Sequence, residues 1–78
     1  MKLHNKKTGI SYNTRTIKES GIYKSIVERW ECDANGIPLR ASLSSMEKHP
    51  TRAKARYYAE RMAIYQFMNH CAIYGLNA

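Results

Sequence analysis

The stretch IYKSIVERWECDANGIPLRASLSS, residues 22–45, decides the fold. Ile22, Ile26, Trp30 and Cys32 share one parity, and Tyr23, Ser25, Val27, Arg29 and Glu31 share the other. That period of two is the signature of a strand. Asp33-Ala34-Asn35-Gly36 follows, and Asn-Gly tolerates the positive φ that a tight turn demands. Ile37 to Ser45 answers with Ile37, Leu39, Ala41 and Leu43 on one face and Pro38, Arg40, Ser42 and Ser44 on the other. The two runs form a β-hairpin. Pro38 has no N–H to give a ladder, which places it at a strand start or an edge.

Upstream, Gly9 opens a Thr-rich run from Ile10 to Lys18 that carries Tyr12 and Ile17 and reads as a first strand. Ser20-Gly21 is the turn that joins it to Ile22. Downstream, His49-Pro50-Thr51 breaks the alternation, and either Thr51 is the helix N-cap or Pro50 takes the first helical position. Residues 52–73 read as one helix of about six turns, stopped by Gly75. Residues 1–8 (MKLHNKKT) are polar and basic and read as a flexible arm ahead of a single domain over 9–78. The expected architecture is α+β: a three-stranded antiparallel sheet packed by one long C-terminal helix. Ala55, Tyr58, Ala59, Met62, Tyr65 and Ile73 make one helical stripe, expected to lie on Ile22, Ile26, Trp30, Leu39, Ala41 and Leu43.

Thirteen Lys and Arg against six Asp and Glu leave a formal net charge of +7. The cations fall in two blocks. Lys2, Lys6, Lys7, Arg15, Lys18 and Lys24 precede an acidic middle, and Lys48, Arg52, Lys54, Arg56 and Arg61 follow it. Such an excess draws polyanions over about a Debye length, and nucleic acid is the commonest of them. Arg52, Lys54 and Arg56 crowd the first turns of the helix, where the macrodipole is already positive and carboxylates would stabilise. Read as a site, they hold phosphate or carboxylate with the free N–H groups. Read plainly, they are a solvated charge run. The outer sheet face is expected to carry Arg15, Tyr23, Arg29 and Arg40 with Ser25, Ser42 and Ser44 between them. Such a surface can enter a nucleic-acid groove, although any exposed antiparallel face must carry polar residues.

The second half of the helix is apolar on more than one side. Ile64, Phe67, Met68 and Cys71 fall in line with Tyr57, away from the stripe. Either the N-terminal segment wraps over them, or they form a surface for a homodimer or a host protein partner. His4, His49 and His70 are scattered, the acids form no pair at an acid/base spacing, and no Gly-rich phosphate loop appears. The expectation is therefore a protein that is not an enzyme and has no metal and no cofactor. Cys32 and Cys71 lack metal-type spacing and read as reduced, with a disulfide between them the alternative. After Met1-Lys2 no apolar leader follows, and no run approaches a membrane span, so the expected location is the cytoplasm.

Residues 21–67 (GIYKSIVERWECDANGIPLRASLSSMEKHPTRAKARYYAERMAIYQF) resemble the three-stranded-sheet-plus-helix DNA-binding domains, the AP2 type and the arm-binding N-terminal domain of tyrosine recombinases. The likeness lies in the Gly21-x-Tyr23 start, the hairpin and the alanines at 53, 55, 59 and 63. In those families the outer sheet face lies in the major groove. The resemblance thus implies DNA contact for Tyr23, Arg29 and Arg40. The function expected is non-catalytic binding to nucleic acid or a nucleoprotein complex. The alternative is an inhibitor or adaptor of the phage or mobile-element kind, docking on a host complex such as a CRISPR effector or another nuclease.

Overall fold

The computed structural model describes residues 1–75, so the last three residues of the expected 9–78 domain lie outside the described ones. Four strands run β1 (Lys2–Asn5), β2 (Ile10–Glu19), β3 (Ile22–Cys32) and β4 (Pro38–His49), followed by α1 (Arg52–Tyr74). The strands form one antiparallel sheet in the order β1-β2-β3-β4. The α+β class and the single C-terminal helix are as expected. The strand count is not: the sheet has four strands where three were expected. Lys2–Asn5, in the stretch read as an arm, pairs with Asn13–Ile10. Its one large apolar residue, Leu3, packs against the core, too little to reveal a strand in a basic sequence.

Local chemistry explains each reversal. Ser20 and Gly21 both take positive φ, 52° and 77°, which suits a two-residue turn between Glu19 and Ile22. At the next turn the Asp33 carboxylate accepts from the backbone N–H groups of Asn35 and Ile37, each at 2.9 Å, while Gly36 supplies φ 79°. Pro38 sits at the first position of β4, an edge strand, where its missing N–H breaks nothing. Thr51 caps the helix, its hydroxyl accepting from the Lys54 N–H at 3.2 Å.

The helix covers the other face of the sheet from the one expected. Ala55, Ala59 and Ala63, at most 1% exposed, lie on the strands, and the cluster beneath them is Ile10, Tyr12 and Val27. Register places Tyr12 opposite Arg29 and Thr14 opposite Val27, so Tyr23, Ser25, Val27, Arg29 and Glu31 form the helix side of β3. Ile22, Ile26, Trp30, Ala41 and Leu43 lie on the uncovered face. The reason is steric. A helix that presents alanines comes close to the sheet and needs short residues such as Ser25 and Val27 below it, not Trp30. Two positions in the expected stripe, Tyr65 and Ile73, are exposed to solvent.

The far end of the helix is locked by the β1–β2 turn. Asn5 is fully buried, and its side-chain amide donates to the Gly75 carbonyl at 2.9 Å and to Cys71 Sγ at 3.4 Å. Its carbonyl oxygen accepts from the Lys7 and Thr8 N–H groups. Thr8 Oγ lies 2.7 Å from His70 Nε2, and the His70 ring meets those of Tyr12 and Tyr74. The N-terminal segment therefore does cover the Phe67 and Cys71 side of the helix. Gly9 closes the junction: its N–H donates to the Asn5 carbonyl, and its own carbonyl accepts from Cys32.

Gly9 takes φ +74°, and a Cβ there would sit 2.5 Å from the Cys32 carbonyl oxygen. Gly9→Ala is expected to lower stability by about 2 kcal/mol or more, read as a drop in urea midpoint with an unchanged slope. An unshifted midpoint would refute the close approach. His70 titrates below the ordinary histidine range, through burial first and the nearby Arg29 charge second. On acidification the unfolded chain therefore binds the proton first. Stability should be level above about pH 6.5 and fall as pH drops through that value. In melts across that range, His70→Gln should flatten the fall.

Candidate nucleic-acid interface

The seven positions expected to hold an anion separate into two groups. Arg29 and Arg40 lie on the helix side and share one carboxylate. Arg40 Nη2 is 2.9 Å from Glu31 Oε2, and Arg29 Nη1 is 3.3 Å from Glu31 Oε1. The hydrogen bond from Arg40 is the chief reason that the Glu31 carboxyl is held below its usual range, with Arg29 adding to it. The same bond raises Arg40. Arg15 does lie on the uncovered face, but its Nε is 3.0 Å from Glu28. Tyr23 is on the helix side, so the outward groove-facing role expected for Tyr23, Arg29 and Arg40 is corrected by the register of β3. Their parity was assigned to the wrong face, and a one-residue parity error moves every side chain of a strand.

The other group holds together. Arg52, Lys54 and Arg56 are exposed at the start of α1, where the first turn contains no acidic residue. Topology adds three lysines that the sequence pattern does not single out. Tyr23 lies opposite both Lys18 and His49, and its ring is flanked by Lys18 Nζ at 5.6 Å and Arg52 Cζ at 5.1 Å to the centroid. Lys24 lies directly opposite Lys48. One end of the molecule thus gathers Lys18, Lys24, Lys48, Arg52, Lys54 and Arg56 where the β2–β3 turn, the end of β4 and the start of α1 meet.

Three of the six carboxylates lie at this end. Glu19 pairs with Lys24 at 3.0 Å, Glu60 lies 3.6 Å from Arg56, and Glu47 lies opposite Ser25. Among the described residues Lys18, Lys48, Arg52 and Lys54 make no salt bridge. Lys18 could have been placed from the Ser20-Gly21 turn, which fixes its cross-strand partner. Lys48 could not, because the alternation that marks the strand stops at Ser45, while β4 runs to His49 past a register shift.

The five positions expected to form a protein surface also divide. Tyr57 and Met68 are exposed, at 68% and 64%. Ile64 is half-buried. Phe67 packs edge-on to Tyr12 with ring centroids 6.5 Å apart, and Cys71 is buried beside Asn5. Phe67 and Cys71 therefore serve the fold, because β1 and its turn cover them. Cys32 and Cys71 are unpaired thiols. Among the described residues no three His, Cys, Asp or Glu side chains converge as metal ligands, and no helix is long and apolar enough to cross a membrane.

Like charges opposed across strands cost stability, as do cations at a helix start. Lys48→Glu replaces one such clash with an attractive pair and should raise stability by about 0.5 kcal/mol, read by thermal melting at low salt. A destabilised variant would show that Lys48 already has compensation at this end.

Compared with protein-family models, with curated proteins and with solved structures, the chain matches none.

Proposed function

We propose that this protein is a non-catalytic binder of nucleic acid, alone or within a nucleoprotein complex, that holds phosphates at its cationic end. One observation carries the reading: six strand and helix lysines and arginines converge at one end against three carboxylates, and against two local stability rules. Violations of that kind concentrate at binding sites. The exposed amino groups of Lys18, Lys48 and Lys54 are hydrated point charges able to replace counterions on a phosphate backbone. Arg29 and Arg40 share the Glu31 carboxylate near the opposite end of β3 and leave the proposed site.

A second reading is docking on a protein, as an inhibitor or adaptor. What favours it is the exposed back of α1, where Tyr57 and Met68 share one side of the helix. Salt separates the two readings, since a phosphate site weakens steeply with ionic strength and an apolar dock does not.

The test is fluorescence anisotropy with labelled duplex DNA, single-stranded DNA and RNA between about 50 and 200 mM salt. Affinity should fall steeply over that range. Neutralising Lys18, Lys48 and Lys54 to Gln should lower the log–log slope by somewhat under one for each phosphate that is no longer neutralised. Arg40→Ala should leave it in place. No association near physiological salt, or a salt-independent one, would overturn the proposal.

A further inference from the structure

The uncovered sheet face carries one cation per strand along a diagonal. Lys48 of β4 faces Lys24 of β3. On β2 the partner of Lys24 is Ile17, and Arg15 stands two residues further along on the same face. Two residues beyond is Asn13, whose β1 partner is Lys2. The line starts within the cationic end and crosses the whole sheet. Neighbouring strands are about 4.8 Å apart and each two-residue step adds about 6.8 Å, so the cations are spaced on the scale of an extended phosphate backbone. The carboxylates beside it, Glu19 and Glu28, are each held by a cation of the line, Lys24 and Arg15.

Beside this line lies an open groove of about 310 Å³, lined by Lys2, Ser11, Asn13, Arg15, Glu28 and Trp30 among others. Ser11 and Trp30 are cross-strand partners. Ser11 Oγ and Trp30 Nε1 are both buried without a hydrogen-bond partner among the described residues, an unusual state for buried polar atoms. Ile26 and Met46, a cross-strand pair, continue the face apolar toward the cationic end. Aromatic ring, cations and incompletely bonded polar groups thus share one concavity on a face that no helix covers.

Resting on the nucleic-acid reading of the cationic end, we infer that this face takes single-stranded nucleic acid, with one base seated against Trp30 and the phosphates following Lys48, Lys24, Arg15 and Lys2. A duplex keeps its base faces stacked inside and could offer this groove only an edge or a phosphate. A single strand offers an unstacked face to the indole, and a cationic track beside an aromatic platform is how single strands are held. A base entering with a small shift of the indole also brings the acceptors that Trp30 Nε1–H and the Ser11 hydroxyl lack.

Trp30 is the only tryptophan, so its fluorescence reports this groove alone. The intact chain would be titrated with oligo-dT and oligo-U of about 15 nucleotides and with a blunt DNA hairpin, near 100 mM salt, lengths and ionic strength chosen to span one small domain's site. Saturable quenching by the single strands, and tighter binding of them than of the hairpin, is expected. Whether dT or U binds more tightly separates DNA from RNA as the source of the strand. Trp30→Ala should weaken single-strand binding roughly tenfold or more and leave hairpin binding unchanged, while Trp30→Phe should retain most of it. Lys54→Gln should weaken both ligands alike and leave the quench intact. Single-strand binding with unchanged Trp30 fluorescence, or a preference for the hairpin, overturns this inference and leaves the cationic end standing. Absence of any salt-dependent binding overturns both. If Trp30→Ala fails to fold by circular dichroism, the quench in the unaltered chain still decides.

Discussion

Where α1 meets the sheet, three alanine side chains are almost all that separates helix backbone from strands. Ala55, Ala59 and Ala63 recur every four residues on one side of the helix, a spacing that lines them up along its axis. That short layer cannot sit on a sheet face carrying Trp30, Ile26 and Leu43 without leaving voids around each bulky ring or branch. It does fit a face of Ser25 and Val27, with Tyr12 and Phe67 filling the margin. The choice of face follows, and with it the identity of every side chain left outside.

Covering that face leaves the indole and the diagonal of cations on the other one, and it sets Arg29 and Arg40 beside Glu31 on the helix side, Arg40 still exposed. An arginine pair that looked from its sequence position like a reading head instead shares one carboxylate on the helix side. Conversely, a row of isoleucine, tryptophan and leucine that looked like core becomes a surface. Such a surface is costly to leave open in a small protein, since little buried area is there to offset it. Its presence beside a line of cations is easier to account for as a contact surface than as an oversight of packing.

The hairpin and the helix were legible because their signals are local: Asn35-Gly36, Ser20-Gly21, Thr51 and Gly75 act through their own backbone. The face was not legible, because β3 is apolar on both parities at its centre, Ile26 beside Val27, and period-two reasoning cannot choose between them. Only the size of the facing helical residues does, and the alanines at 55, 59 and 63 were that signal. β1 was hidden for another reason. It is held by Asn5, whose hydrogen bonds to Gly75, Cys71, Lys7 and Thr8 span the chain and leave no mark in hydropathy. The helix-start half of the site was read from charge alone, whereas Lys18, Lys24 and Lys48 reach it by strand pairing over distances no local pattern records.

The two ends of the molecule are built on opposite principles. At one, a buried asparagine, a positive-φ glycine pressed against Cys32 and a buried histidine bring β1, its turn, the end of β3 and the C-terminal turn of α1 together. At the other, Lys24 faces Lys48 and a helix begins among basic residues with no acid in its first turn. These two costs meet at the end that opens onto the uncovered sheet face, and the hydrogen-bonded opposite end supplies stability against which they can be held. Fold and proposed function are thus carried on different sides of the same helix start, Ala55 and Ala59 buried on the sheet while Arg52, Lys54 and Arg56 keep their charge exposed.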